Sequence, residues 1–182
     1  MPLPETNKRY TSNDYFDLPE DIHAELIEGR MYSQAAPSAN HQGVLNELNY
    51  IIMRYIKENG GKCRVFPAPF AVILDEYTVV EPDVSVICDK NKITSRGCIG
   101  APDFIIEITS SNAGNDYIKK LGIYEKFGVR EYWIVNPSSQ TIIVYYFEET
   151  AEPVKYTFND IIKVRIYEKL EIDFKEIKKI LI

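Results

Sequence analysis

Three stretches carry residues whose types and spacing could do chemistry: Asp83 in EPDVSVICD, Glu107 in DFIIEITSS and Lys120 in NDYIKKLGIYEKFGV. Glu107 is the most unusual of them. Phe104, Ile105, Ile106 and Ile108, bounded by Pro102 and by Ser110 and Ser111, read as a strand covered on both faces. A carboxylate inside such a strand is costly unless it takes up a proton or finds a cation, a metal or several donors. A structural ion pair with a buried Lys or Arg would also satisfy it. Asp83 follows Pro82, which cannot pair in a central ladder and so fixes where the next strand starts. Taken alone, an acid there serves equally well as a turn or capping residue. In the third stretch Asp116, Lys120 and Tyr124 fall at i, i+4 and i+8 and share one helix face, beside the apolar pair Ile123 and Phe127. Asp116 and Lys120 could also be a plain surface pair worth about 0.3–0.5 kcal/mol.

Spacing decides which acid could join Glu107. Asp103 lies four residues away on the same strand, roughly 13 Å along it, which is too far for two short side chains to grip one ion. Asp83 on a neighbouring strand has no such limit, since paired strands run about 4.8 Å apart. Asp103 is assigned to the turn after Pro102. Two carboxylates with open water positions suit a hard divalent ion such as Mg²⁺ or Mn²⁺, which binds substrate phosphate. Such an ion polarises a phosphoryl oxygen and generates hydroxide, while a nearby ammonium neutralises developing charge. The substrate this chemistry points to is a phosphodiester.

The elements that must hold these residues alternate. Residues 11–22 read as a short helix capped by Ser12 or Asn13, and AELIEGRMYSQ as a hairpin turning at Gly29. From about Ser38 to Asn59 a long helix places Val44, Leu45, Leu48, Ile51, Ile52, Tyr55 and Ile56 on one stripe, ended by Gly60 and Gly61. Strands are predicted at CRVF, FAVIL, VSVIC, DFIIEIT, EYWIV and TIIVYYF, with a helix over about 115–127 between the fourth and fifth. Short strands at KYTF and KVRIY and a closing helix in IDFKEIKKILI complete an α/β pattern. Residues 88–102 read as one long irregular connection carrying Lys90, Lys92 and Arg96.

The chain resembles a family at these same residues. Asp83 in PDVSV, Glu107 in EITS, Lys120 and Tyr124 in DYIKKLGIY, and GVREYWIVNP are similar to the family named "putative restriction endonuclease" within the PD-(D/E)XK nuclease superfamily. AELIEGRMY and His41 are similar too, so the resemblance covers roughly residues 10 to 180. It implies a restriction-endonuclease-like core, a mixed central β-sheet flanked by α-helices, and Mg²⁺-dependent cleavage of DNA. Matched to the motif, Asp83, Glu107 and the backbone carbonyl of Ile108 are the implied metal ligands. The Lys of the superfamily pattern, two residues after the second acid, is Thr109 here, and Lys120 on the following helix takes its role. Lys119 points about 100° away around that helix. Glu25 matches an N-terminal acid of the family pattern, which leaves it either completing the site or pairing across the hairpin. His41 reads as a packed or capping residue before it reads as a base.

Composition narrows the class. A chain of 182 residues with 45% hydrophobic and 26% charged residues suits a single domain spanning 1–182. It shows neither a long apolar run nor a leader pattern, so the expectation is a cytoplasmic protein with no membrane partner. Cys63, Cys88 and Cys98 lack zinc spacing and are expected as free thiols. The net charge of −6 argues against a general nucleic-acid-coating protein and suggests either a homodimer pooling Lys90, Lys92, Arg96 and Lys120 along one DNA cleft or a restricted substrate. The rival reading is a catalytically silent DNA-binding or assembly module on the same fold. No glycine-rich phosphate loop supports a nucleotide hydrolase.

Overall fold

The computed structural model describes residues 8–19, 21–109, 116–149 and 152–182. In chain order the elements are α1 (Ser12–Phe16), β1 (Ala24–Ile27), β2 (Arg30–Ser33), α2 (Ala39–Glu58), β3 (Arg64–Pro67), β4 (Val72–Asp75), β5 (Thr78–Val80), β6 (Val84–Ile87), β7 (Ile93–Thr94), β8 (Gly97–Ile99), β9 (Phe104–Ile108), α3 (Asp116–Phe127), β10 (Glu131–Asn136), β11 (Thr141–Tyr146), β12 (Val154–Thr157), β13 (Ile161–Lys163), β14 (Glu171–Asp173) and α4 (Phe174–Lys178). They form a mixed α/β fold. One six-stranded sheet has the order β12-β11-β10-β9-β6-β3, a second has β2-β1-β5-β4-β8-β7, and β13 pairs with β14. Within the first sheet β9 and β10 are parallel, joined by the α3 crossover, while β6 is antiparallel to β9. Parallel neighbours need such a crossover, since no short turn can reverse the chain twice.

Side-chain alternation divides the core between the two faces of that sheet. Phe104, Ile106 and Ile108 point to one side, where they meet the α2 stripe of Val44, Leu45, Leu48, Ile52 and Ile56. Ile105 points to the other, where Ile123 and Tyr124 of α3 and Val72, Leu74 and Val80 of the second sheet cover it. Glu107 shares the parity of Ile105 and therefore faces α3 and the second sheet rather than α2.

The β1–β2 hairpin turns where its sequence indicates, with Glu28 and Gly29 both at positive φ, the requirement of a tight two-residue hairpin turn. Four expectations need correction. The first helix is capped by Thr11, whose hydroxyl accepts from the Asp14 N–H, rather than by Ser12 or Asn13. Residues 88–102 are largely ordered: a 3₁₀ turn over Lys90–Lys92 leads into the β7–β8 hairpin, which extends the second sheet alongside β4. Gly97 makes that docking possible, because a Cβ there would stand 2.2 Å from the Ala71 carbonyl oxygen. The late strand is Ile161–Lys163, ahead of the KVRIY run. Cys63 and Cys88 are joined in a disulfide at the ends of paired β3 and β6, leaving Cys98 as the buried free thiol.

At the far end of β10 the buried Glu131 ties down the C-terminal segment. Its carboxylate accepts from Trp133 Nε1 at 2.7 Å and from the backbone N–H groups of Arg165 at 2.8 Å and Ile166 at 3.1 Å. Burial pushes its pKa up to about 7, against the downward pull of those three donors.

Candidate active site

Three elements converge on Glu107. From α3, Lys120 Nζ stands 3.0 Å and the Tyr124 hydroxyl 2.7 Å from Glu107 Oε1, so the i, i+4 pair reaches one oxygen from one helix face. From β1, Glu25 grips the same ammonium, with both carboxylate oxygens at 2.9 Å from Lys120 Nζ. Glu107, Lys120 and Glu25 are each less than a tenth exposed. Burial raises the Glu107 pKa to about 7, and the charges of Asp83 and Glu25 add to this against the pull of Lys120. Burial works against the charge on Lys120 as well, but two flanking carboxylates outweigh it and hold the ammonium protonated. Tyr124 is pushed well above its ordinary value by burial and then by the charges of Glu107 and Glu25.

Asp83 arrives from the neighbouring strand. Val84 pairs with Ile106 in the antiparallel β6–β9 ladder, so the next step places Asp83 opposite Glu107. One oxygen of Asp83 accepts the Ile108 N–H at 2.7 Å, and the other lies 3.0 Å from His41 Nε2. Ser38 caps α2 by accepting from the His41 N–H, which sets the imidazole at the helix entrance. Burial lowers the His41 pKa, but the hydrogen bond and charge of Asp83, helped by Glu107 and the Ile108 backbone, raise it overall. His41 is thus both the third residue of the helix, whose N–H the Ser38 cap receives, and a direct partner of Asp83. The Asp103 carboxylate accepts the Cys88 N–H at 2.8 Å and is not part of this group.

A fourth acid was missed in the sequence. Glu81 receives the Tyr15 hydroxyl, and its own backbone N–H donates to Glu25 Oε1 at 2.8 Å. Burial raises its pKa, and the nearby Glu25 adds to the shift. The signal was present in VVEPDVSV, where two acids flank one proline. Glu25, Glu81, Asp83, Glu107 and Lys120 open together into a cleft of about 830 Å³. Thr109, two residues after Glu107, lines it too. Lys90, Lys92 and Arg96 do not: Lys92 Nζ donates to the Ala101 carbonyl at 2.8 Å, Arg96 sits over the Phe16 ring, and β7 is the edge strand opposite β2. The Asp116 side chain lies outside the described residues.

Does this donor set fit a divalent ion? Among the described residues no three His, Cys, Asp or Glu side chains form a metal-ligand cluster. What the structure has instead is two facing carboxylates, each with a nitrogen group drawn onto it: an imidazole 3.0 Å from Asp83 and an ammonium 3.0 Å from Glu107. Oxygen donors of this kind, few in number, suit Mg²⁺, which keeps several waters and takes one or two protein carboxylates. The residues therefore fit a hard divalent cation and offer nothing to a thiolate-seeking one.

No curated protein matches the chain. Among solved structures it is similar to one described as a "putative nuclease belonging to DUF820 from Anabaena variabilis", with a TM-score of 0.78 and 23% identity, covering 94% of this chain and 99% of that one. At that identity the likeness concerns the fold, a mixed α/β architecture shared from end to end. The sequence itself matches the family model Uma2, described as "Putative restriction endonuclease", over residues 12–175, a span that includes both carboxylates, the α3 lysine and the strands that carry them. The chain belongs to the Uma2 family, the one described as "Putative restriction endonuclease".

Proposed function

We propose that the protein is a divalent-metal-dependent endonuclease that hydrolyses phosphodiester bonds of DNA, working as a single nuclease-like domain. The observation that carries this reading is the placement of Asp83 opposite Glu107 on adjacent strands, with Lys120 3.0 Å from Glu107, in a member of a nuclease family. Asp83, Glu107 and the Ile108 carbonyl would hold Mg²⁺ or Mn²⁺, which when bound supplies Lewis acidity and a more acidic water.

The protein's own groups do the rest. Lys120, kept protonated by Glu25 and Glu107, offers a fixed positive charge for developing negative charge at the phosphate and a donor to orient the attacking water. Glu25 positions that lysine. Tyr124 fixes the Glu107 carboxylate by its 2.7 Å hydrogen bond, and His41 does the same for Asp83. These supports come from α2, α3 and β1, so the site is assembled by rigid elements.

The test is cleavage of plasmid DNA with Mg²⁺ or Mn²⁺, wild type beside Glu107→Gln and Asp83→Asn. Cutting by the wild type and none by either variant supports the assignment. A wild type that binds duplex without cutting it under any divalent ion would make the chain a silent DNA-binding module, and undiminished cutting by Glu107→Gln would remove Glu107 from the chemistry.

A further inference from the structure

The cleft poses an electrostatic problem. Four carboxylates, Glu25, Glu81, Asp83 and Glu107, line it against two ammonium groups, Lys119 and Lys120. Lys120 is buried and committed to two of those carboxylates. A polyanionic strand entering here meets repulsion unless another cation receives it. Lys119 meets that need. It is exposed at the cleft wall, forms no ion pair among the described residues, and its ammonium lies 5.2 Å from the centre of the Tyr32 ring. Tyr32 is the cross-strand partner of Glu25 in the β1–β2 hairpin, so both side chains rise from the same sheet face. Successive lysines of α3 thus reach successive members of one cross-strand pair: Lys120 goes inward to Glu25, and Lys119 goes outward to Tyr32.

We infer that Lys119, seated over the Tyr32 ring, is a substrate-binding residue that takes a backbone phosphate of the nucleic acid at the cleft mouth, beside the scissile position. This rests on the nuclease reading above and adds a contact to it. The ring face attracts the ammonium and keeps its flexible stem from wandering, so less freedom is lost when a phosphate arrives. Tyr32 acts through Lys119 and is a positioning residue. The contact is with phosphate, so it sets affinity and register without reading sequence.

The experiment is binding of a fluorescein-labelled DNA duplex by anisotropy across a KCl series, with Ca²⁺ as the divalent ion, which takes the same oxygen ligands in looser geometry. For Lys119→Gln, affinity should fall about tenfold and the slope of log affinity against log salt should shrink by about 1, the loss of one phosphate contact. Lys119→Arg should restore both, and Tyr32→Phe should bind as the wild type. Tyr32→Ala should lose about threefold, the size of an exposed cation–ring contact. Calorimetric Mg²⁺ affinity should be the same in Lys119→Gln as in the wild type, separating a substrate contact from damage to the metal site. Wild-type affinity and salt slope in Lys119→Gln would overturn this inference and leave the nuclease reading standing. A wild type that neither binds nor cuts duplex under any divalent ion would bring both down.

Discussion

Glu107 on β9 and Glu131 on β10 stand on adjacent parallel strands, both buried, and burial raises both to about 7. Their surroundings differ in kind. Glu131 is held chiefly by dipoles, one indole N–H and two backbone N–H groups that are fixed in direction and cannot titrate, with the charge of Arg165 as a smaller further pull. Glu107 is surrounded by side chains that carry charge, with Lys120, Asp83 and Glu25 acting on it at the wall of an open cleft. Fixed donors make a latch that fastens the C-terminal segment to β10. Charged partners beside solvent make a place where an ion or a phosphate can exchange with what is already there. A buried acid in an apolar strand therefore marks an exceptional position, and its partners decide whether that position is structural or chemical.

The comparison is broken most directly by neutralising each acid. Glu107→Gln should lower DNA cleavage by roughly 10²–10⁴-fold, the range seen when one positioned acid–base or charge-stabilising group is removed. Its fold should survive, since Lys120 keeps Glu25 as its partner and the amide oxygen can still accept from Tyr124. Glu131→Ala should do the reverse. Three buried donors would lose their acceptor at about 1–3 kcal/mol each before relaxation, so a stability loss of about 3–5 kcal/mol in urea unfolding is expected. Turnover per folded molecule should be unchanged. Equal loss of turnover in both variants would show that the distinction between the two acids is false.

The pH dependence of stability sharpens the same contrast. The Glu131 carboxyl rises from 4.5 in the unfolded chain to about 7 in the fold, so the folded state holds its proton longer. Stability from this group is therefore fully present below 4.5 and is lost as pH rises through about 7. The loss is on the order of 3 kcal/mol for a shift of this size. Urea unfolding on either side of that window should show the wild type falling relative to Glu131→Gln, whose amide does not titrate. Parallel profiles would mean that the three donors hold Glu131 ionised throughout.

Much of the framework is written in local pattern. The runs around Val84, Phe104 and Glu131 are long and apolar enough to be strands, and the α2 stripe and the Lys120–Tyr124 spacing follow from helical period. The choice of Asp83 over Asp103 beside Glu107 came from strand geometry alone. What escaped depends on register between distant segments. The Cys63–Cys88 bond requires knowing that β3 pairs with β6, and no spacing of 25 residues announces it. The β7 and β8 strands have two and three residues, too few for any periodicity. Glu81 enters through a backbone N–H to Glu25, 56 positions away, and Lys119 is singled out by a ring on the first hairpin. The same rule that flagged Glu107 applies equally to Glu131 in EYWIV, which shows that sequence can mark an exceptional acid without naming its partners.

The smallest expected effect separates the two acids by ligand rather than by mutation. An ion that binds the folded chain and not the unfolded one stabilises it by RT ln(1 + [L]/Kd), about 1.4 kcal/mol at ten times Kd. For a domain of this size that is a rise of roughly 3–6 °C in Tm. Mg²⁺ should raise the Tm of the wild type by this amount and that of Glu131→Gln equally, because the latch lies away from the cleft. Glu107→Gln should show no rise at the same concentration, having lost one of two carboxylates and the negative charge that draws the ion. A rise in Glu107→Gln matching the wild type would place the ion elsewhere, and Glu107 would then be, like Glu131, a buried acid whose work is to hold its neighbours.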